Sequence, residues 1–135
     1  MVKGMTFEEN NKAIYLQIAD RICDLIMNGT YDSDNRIPSV REFATSIEVN
    51  ANTVMRSYEK LASQGLIYNK RGIGFFVSED AKIRILKERT ENIVSKQFPP
   101  LFKLLSLIGF TPEDLKTAYE RYLKEHQPSK ETGLE

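Results

Sequence analysis

The segment 37–77 reads IPSVREFATSIEVNANTVMRSYEKLASQGLIYNKRGIGFFV, and few folds accommodate it. Ser39 stands before a helical stripe of Val40, Phe43, Ala44 and Ile47, and Glu42 follows it at the third position. That spacing is a capping box, in which each side chain satisfies a backbone amide at the helix start. Glu48-Val49 then makes a short turn, with Val49 filling the angle, and Asn50 caps a further helix expected to run to about Gln64. Val54, Tyr58 and Leu61 repeat at helical spacing and face inward. Gly65 ends that helix. Leu66–Asn69 and Phe75–Ser78 read as two short strands around a tip of Lys70-Arg71-Gly72-Ile73-Gly74, where glycine permits the positive φ of a tight turn. Helix, turn, helix and hairpin in this order make a winged helix-turn-helix.

The flanks extend the pattern. A preceding helix is expected from about Lys12 to Asn28, with Ile14, Ile18, Ile22, Leu25 and Ile26 in phase, Asn11 as its cap and Gly29 at its end. Beyond Glu79, Ile83, Leu86, Ile93, Leu101, Leu104 and Ile108 keep three-to-four spacing, and Pro99-Pro100 must break or kink the path. Thr111-Pro112-Glu113-Asp114 starts a last helix that carries Leu115, Ala118, Tyr119, Tyr122 and Leu123. The expected architecture is mainly α with a small β-wing. A flexible N-terminus (1–11) leads into a winged helix-turn-helix (12–78), a helical module (79–125) and a disordered tail (126–135).

Charge points the central segment toward nucleic acid. The chain as a whole has formal net charge 0. Residues 1–35 nevertheless hold three cations against six anions, residues 36–78 hold six against three, and residues 79–135 hold ten of each. Local charge governs attraction to phosphate, because screening cuts the field within ~8 Å at physiological salt. Other classes lack their signatures. One His and one Cys argue against a His/Cys metal site, no nucleophile–base pair or phosphate-cradling loop is present, and no apolar run approaches the ~20 residues that span a bilayer. The start, MVKGMTFEENNK, has no signal-peptide core. The expectation is a cytoplasmic, non-enzymatic protein without cofactor or metal.

A helix enters the major groove of B-DNA when its outer face carries short or hydrogen-bonding side chains near the N-terminus. Asn52 and Arg56 suit base edges, Asn for adenine and Arg for guanine, while Ala51 and Met55 suit a thymine methyl. Asn50 and Thr53 sit at the positive end of the helix dipole and suit phosphate. Ser39 and Arg41 form a second phosphate clamp at the preceding helix start. Arg71 at the hairpin tip, flanked by Lys70 and Gly72, can reach an adjacent minor groove, and Arg36 adds to the same positive cluster. Each residue has a plainer reading as a cap, a solvated surface charge or a loop-tip cation. A second function class uses the same fold as a protein-interaction module with no DNA binding and no need of a basic tip.

The segment 12–78 resembles the N-terminal domain of the GntR family of bacterial transcription regulators. The resemblance rests on Ile14-Tyr15-Leu16-Gln17-Ile18, Ile37-Pro38-Ser39-Val40-Arg41-Glu42, Asn52-Thr53-Val54, Tyr58, Leu61, Gly65-Leu66-Ile67 and Gly72-Ile73-Gly74-Phe75-Phe76-Val77. The remaining helices are similar to the YtrA subfamily, whose C-terminal part is a short dimerising module. The resemblance implies DNA contacts from Arg41, from the opening of the third helix and from the wing tip at Gly72. Ala51 stands where many members carry arginine and Met55 where some carry another, so those contacts do not transfer, and Glu48 replaces a frequent turn glycine.

A segment as short as 79–125 buries little on its own, yet it carries Phe98, Leu101, Phe102, Leu104, Leu105 and Ile108. Pairing two copies covers these side chains, and a two-fold homodimer is the commonest symmetric solution. Two heads then meet a roughly palindromic site on double-stranded DNA. The module is too short for a large ligand pocket. A small-molecule effector, if one acts, binds at the dimer interface or between head and tail, and would tilt the heads about a hinge near Ser78–Ala81.

Overall fold

A computed structural model describes residues 12–127 together with Met5 and Phe7. Residues 1–11 apart from Met5 and Phe7, and residues 128–135, lie outside the described residues, as does the expected Asn11 cap. Helix α1 spans Ile14–Met27; its N-cap is Ala13, which offers no side-chain acceptor. The chain leaves α1 through Gly29 at φ +89°. Helix α2 spans Val40–Ile47 and α3 spans Ala51–Ser63. Strands β1 (Ile67–Lys70) and β2 (Gly74–Val77) form an antiparallel hairpin in register Ile67↔Val77 to Lys70↔Gly74. Each strand is displaced by one residue from the sequence expectation, because Lys70 and Gly74 pair and leave only Arg71–Gly72–Ile73 at the tip.

Two compact units divide the chain at Arg89/Thr90. In the first, α3 packs on both α1 and α2. Ile18, Ile22, Ile26, Phe43, Val54, Tyr58 and Leu61 form the core, and Met5 and Phe7 pack partly buried against it. Tyr58 ties three elements together. Its ring meets Phe75 edge-on at 5.1 Å and Phe43 at 6.3 Å, and its hydroxyl donates to the Pro38 carbonyl at 2.6 Å. Burial drives that hydroxyl far above its ordinary acidity range. Ser57, also fully buried, donates to the Tyr15 carbonyl at 2.7 Å and so fixes α1 on α3. Cys23 is 8% exposed, and burial pushes its thiol up to about 11 against the pull of Arg89.

The first unit reaches further than the expected boundary at Ser78. Helix α4 spans Ala81–Asn92, and its Ala81 and Ile85 are 0% and 2% exposed within the first core. Arg84 pairs with Asp80 at 2.8 Å, and Arg89 pairs with Asp24 at 2.9 Å. The Ser78 amide donates to the Leu66 carbonyl at 2.9 Å, and Ser33 Oγ donates to the Glu79 carbonyl at 3.2 Å. A hinge at Ser78–Ala81 is therefore corrected: these residues are bonded into the winged unit. The sequence missed this because the spacing of small Ala81 and Ile85 does not mark them off from the apolar positions that follow.

In the second unit, Ile93–Gln97 forms a π-helical turn that leads into α5 (Phe98–Leu107). The prolines thus produce a widened turn rather than a break, and Phe98, directly before Pro99, keeps helical φ −67° and ψ −45°. Proline lacks an amide, so it is tolerated where the normal helical bond is already displaced. Helix α6 spans Pro112–Glu125 behind a Thr111–Asp114 capping box, with bonds of 2.9 and 3.1 Å. No residue of the π turn, α5 or α6 is buried.

Candidate nucleic-acid interface

The candidate interface comprises two helix starts and one hairpin tip. At α2, Ser39 Oγ accepts from the Glu42 amide at 3.0 Å, and Glu42 Oε1 accepts from the Ser39 amide at 2.8 Å. Those backbone and side-chain bonds, with the nearby charge of Arg36, hold the Glu42 carboxyl below its usual range. Ser39 still has its hydroxyl proton to donate. Among the described residues the amides of Val40 and Arg41 have no intramolecular acceptor, so the first turn of α2 presents donors as well as the Arg41 cation.

Between the helices, Glu48 takes φ 57° and ψ 49°. The Val49 amide donates back to the Ala44 carbonyl at 3.0 Å, closing the helix end around a left-handed residue. Gly65 and Gly109 hold the equivalent positions after α3 and α5, at φ +76° and +73°. Glu48 thus occupies a conformation that disfavours any side chain.

At α3, Asn50 Oδ1 accepts from the Asn52 amide at 2.7 Å, which leaves the Asn50 amide group free to donate. Ala51, Asn52 and Met55 are exposed, Thr53 half-buried. Arg56 is placed differently from Asn52. Its guanidinium lies 4.0 Å from the Tyr15 ring centre, stacked on the start of α1. Sequence reasoning assigned no role to Tyr15; its proximity to Arg56 comes only from the packing of α1 on α3.

At the hairpin, Lys70 Nζ lies 4.7 Å from the Phe76 ring centre, and Tyr68 stacks on the same ring with centres 5.8 Å apart. Arg36 lies alongside β2, paired with Phe76, and its Nε donates to the Ile73 carbonyl at 3.1 Å. Arg71 and Gly72 are exposed. Among the described residues none of the six cations from Arg36 to Arg71 forms an ion pair, whereas Lys82, Arg84 and Arg89 of α4 are paired with Asp32, Asp80 and Asp24. The structure therefore brings Ser39, Arg41, Asn50, Ala51, Asn52, Thr53 and Met55 to two adjoining helix starts, with Arg36, Lys70, Arg71 and Gly72 on the wing. Arg56 is held on α1 by Tyr15.

The six apolar residues expected at a dimer interface belong to the second unit. Phe98, Leu101, Phe102, Leu104 and Ile108 are 36–73% exposed, and Leu105 is half-buried. Phe98 and Phe102 touch, with ring centres 4.9 Å apart.

Known proteins resemble this chain in sequence and fold. Residues 14–77 match the family described as bacterial regulatory proteins, gntR family. The HTH-type transcriptional regulator YhcF of Bacillus subtilis is 32% identical over 107 residues, which cover 79% of this chain and 87% of YhcF. The HTH-type transcriptional repressor YtrA of the same organism is 39% identical over 74 residues, 55% of this chain and 57% of YtrA. A crystal structure of a GntR-family transcriptional regulator from Bacteroides thetaiotaomicron superposes with a TM-score of 0.74 at 49% identity, covering 85% of this chain and all of the other. By the family match over residues 14–77 and the identity to YhcF, the protein belongs to the gntR family of bacterial regulatory proteins.

Proposed function

We propose that this GntR-type regulator reads a two-fold operator as a homodimer and represses by occluding it. The observation that carries the reading is the contrast in α3 and its surroundings. Asn52, Ala51 and Met55 project outward, while the neighbouring cations Arg41 and Arg71 have no ion-pair partner among the described residues. Asn52 reads a base edge, Ala51 and Met55 pack on thymine methyls, and Ser39, Arg41, Asn50 and Thr53 hold phosphates. Arg71 and Gly72 meet the adjacent groove, with Arg36 and Lys70 behind them. Arg56 reads a base after its guanidinium slides along Tyr15.

Dimerisation through the second unit is supported by its chemistry: α5 exposes large apolar side chains and buries none. A second copy covering Phe98, Leu101, Phe102, Leu104, Leu105 and Ile108 places two heads on half-sites about one DNA turn, ~34 Å, apart or at a related spacing. No helix among the described residues is long and apolar enough to cross a membrane, which fits a regulator working on DNA in the cytoplasm. A small-molecule effector acts at the paired helices or not at all.

Selection of bound duplexes from a random pool tests the reading. It is expected to return a motif with two-fold symmetry, and a salt titration is expected to lower log affinity by about 0.9 per phosphate contact per log unit of salt. A protein-interaction module would select nothing and show no such slope.

A further inference from the structure

Arg36 has a geometry that a phosphate contact does not require. The chain from Asp34 to Ile37 runs along the free edge of β2: the Asp34 amide donates to the Val77 carbonyl at 2.8 Å, the Val77 amide to the Asn35 carbonyl at 3.0 Å, and the Ile37 amide to the Phe75 carbonyl at 2.9 Å. The wing is thus braced along its inner part. Its tip is not, since a two-stranded hairpin is marginal alone and the Ile73 side chain is 58% exposed. Two bonds hold the tip from inside: the Ile73 amide donates to the Lys70 carbonyl at 2.8 Å, and Arg36 Nε donates to the Ile73 carbonyl at 3.1 Å.

Gly74 makes room for the second bond. Its φ is +142°, and a Cβ built there would lie 2.7 Å from Arg36 Nε. Any side chain at position 74 would meet the guanidinium at the very atom that holds the tip. Arg36 and Gly74, far apart in sequence, therefore form one device.

We propose that Arg36 is a positioning residue for DNA reading by the wing. Its Nε–H fixes the Ile73 carbonyl, so Arg71 and Gly72 are presented in one geometry before DNA arrives. The inference rests on the DNA-reading function proposed above. Preorganisation of this kind strengthens binding by removing the cost of ordering a loop on contact. Lysine at position 36 keeps the charge but has no donor at the Nε position, so Arg36→Lys separates positioning from charge.

The test uses the full chain with a selected duplex, in four forms: native, Arg36→Lys, Arg71→Ala and the double variant. Arg36→Lys is expected to weaken binding about fivefold with an unchanged salt slope, because the number of neutralised phosphates is the same. Arg71→Ala is expected to cost about tenfold in the native background and less than about threefold beside Arg36→Lys, since coupled residues lose additivity. Amide order parameters at Gly72 and Ile73 in the unbound protein are expected to fall from about 0.85 to below about 0.6 in Arg36→Lys. Additive losses with an unchanged tip would overturn the inference and leave Arg36 a separate phosphate contact. If the native chain bound no duplex, the DNA reading itself would fail, and the order parameters would still decide whether Arg36 holds the tip.

Discussion

Glu48 offers the sharpest single perturbation of the helix-turn-helix. It closes α2 at φ 57° and ψ 49°, where a Cβ crowds the backbone at a cost of roughly 1–2 kcal/mol. Glycine removes that cost but gives up about 0.5–1 kcal/mol through the greater freedom of its unfolded chain. Glu48→Gly is therefore expected to stabilise the protein by about 0.5–1 kcal/mol, a rise of a few degrees in Tm at about 4–8 °C per kcal/mol for a unit of this size. Glu48→Ala keeps the crowding and loses the carboxylate, so it is expected to stay within about 0.5 kcal/mol of the native chain. The two variants share a second effect. If the turn faces a bound phosphate in the proposed complex, removing the negative charge relieves repulsion; at one screening length, ~8 Å, this is worth about 0.2 kcal/mol, a gain in affinity below twofold. Thermal unfolding by circular dichroism and duplex titration at fixed salt measure both quantities. If the alanine and glycine variants melted together, relief of backbone strain at this turn would be refuted as a source of stability. If neither bound DNA more tightly, the turn would not face phosphate.

Tyr58→Phe keeps the ring against Phe75 and Phe43 but strands the Pro38 carbonyl, so chemical denaturation is expected to show a loss of about 1 kcal/mol; a variant as stable as the native chain would remove this bond from the account. Glu42 is stabilised as a carboxylate, its folded value lying below the ordinary 4.5. Its contribution is complete above 4.5 and fades as pH falls through the depressed value. The stability gap between native protein and Glu42→Gln should accordingly shrink in acid, and a gap that stayed constant with pH would refute the capping role of the charge. Leu104→Glu places a carboxylate on the exposed apolar face of α5; sedimentation should show the proposed dimer dissociating, and an unaltered profile would remove α5 from the proposed interface.

The parts of the fold legible in the sequence are those decided within a few residues. The Ser39–Glu42 box and the Asn50 and Thr111 caps join residues at most three apart, and all three form as the spacing predicts. The inward stripe of Val54, Tyr58 and Leu61 follows from helical period alone. What remained hidden depends on distant partners. The docking of Ala81 and Ile85 moves the first unit's end to Arg89, and no local signal marks it. The stacking of Arg56 on Tyr15 and the reach of Arg36 to Ile73 both cross between elements whose packing the sequence does not display. The prolines at 99 and 100 signalled an irregularity but not its form, because a missing amide can be accommodated by a loop, a kink or a wider helical turn.

Cys23 gives the molecule a practical property. The reactive form of a cysteine is the thiolate, and at pH 7 a thiol pushed up to about 11 in a packed helix supplies almost none of it. The native protein should thus ignore maleimides and iodoacetamides until α1 is pulled from its neighbours. A fluorophore or spin label can accordingly be installed on a cysteine engineered at the wing or on α6 without first removing the natural one, and slow labelling of position 23 itself becomes a clock for opening of the folded head.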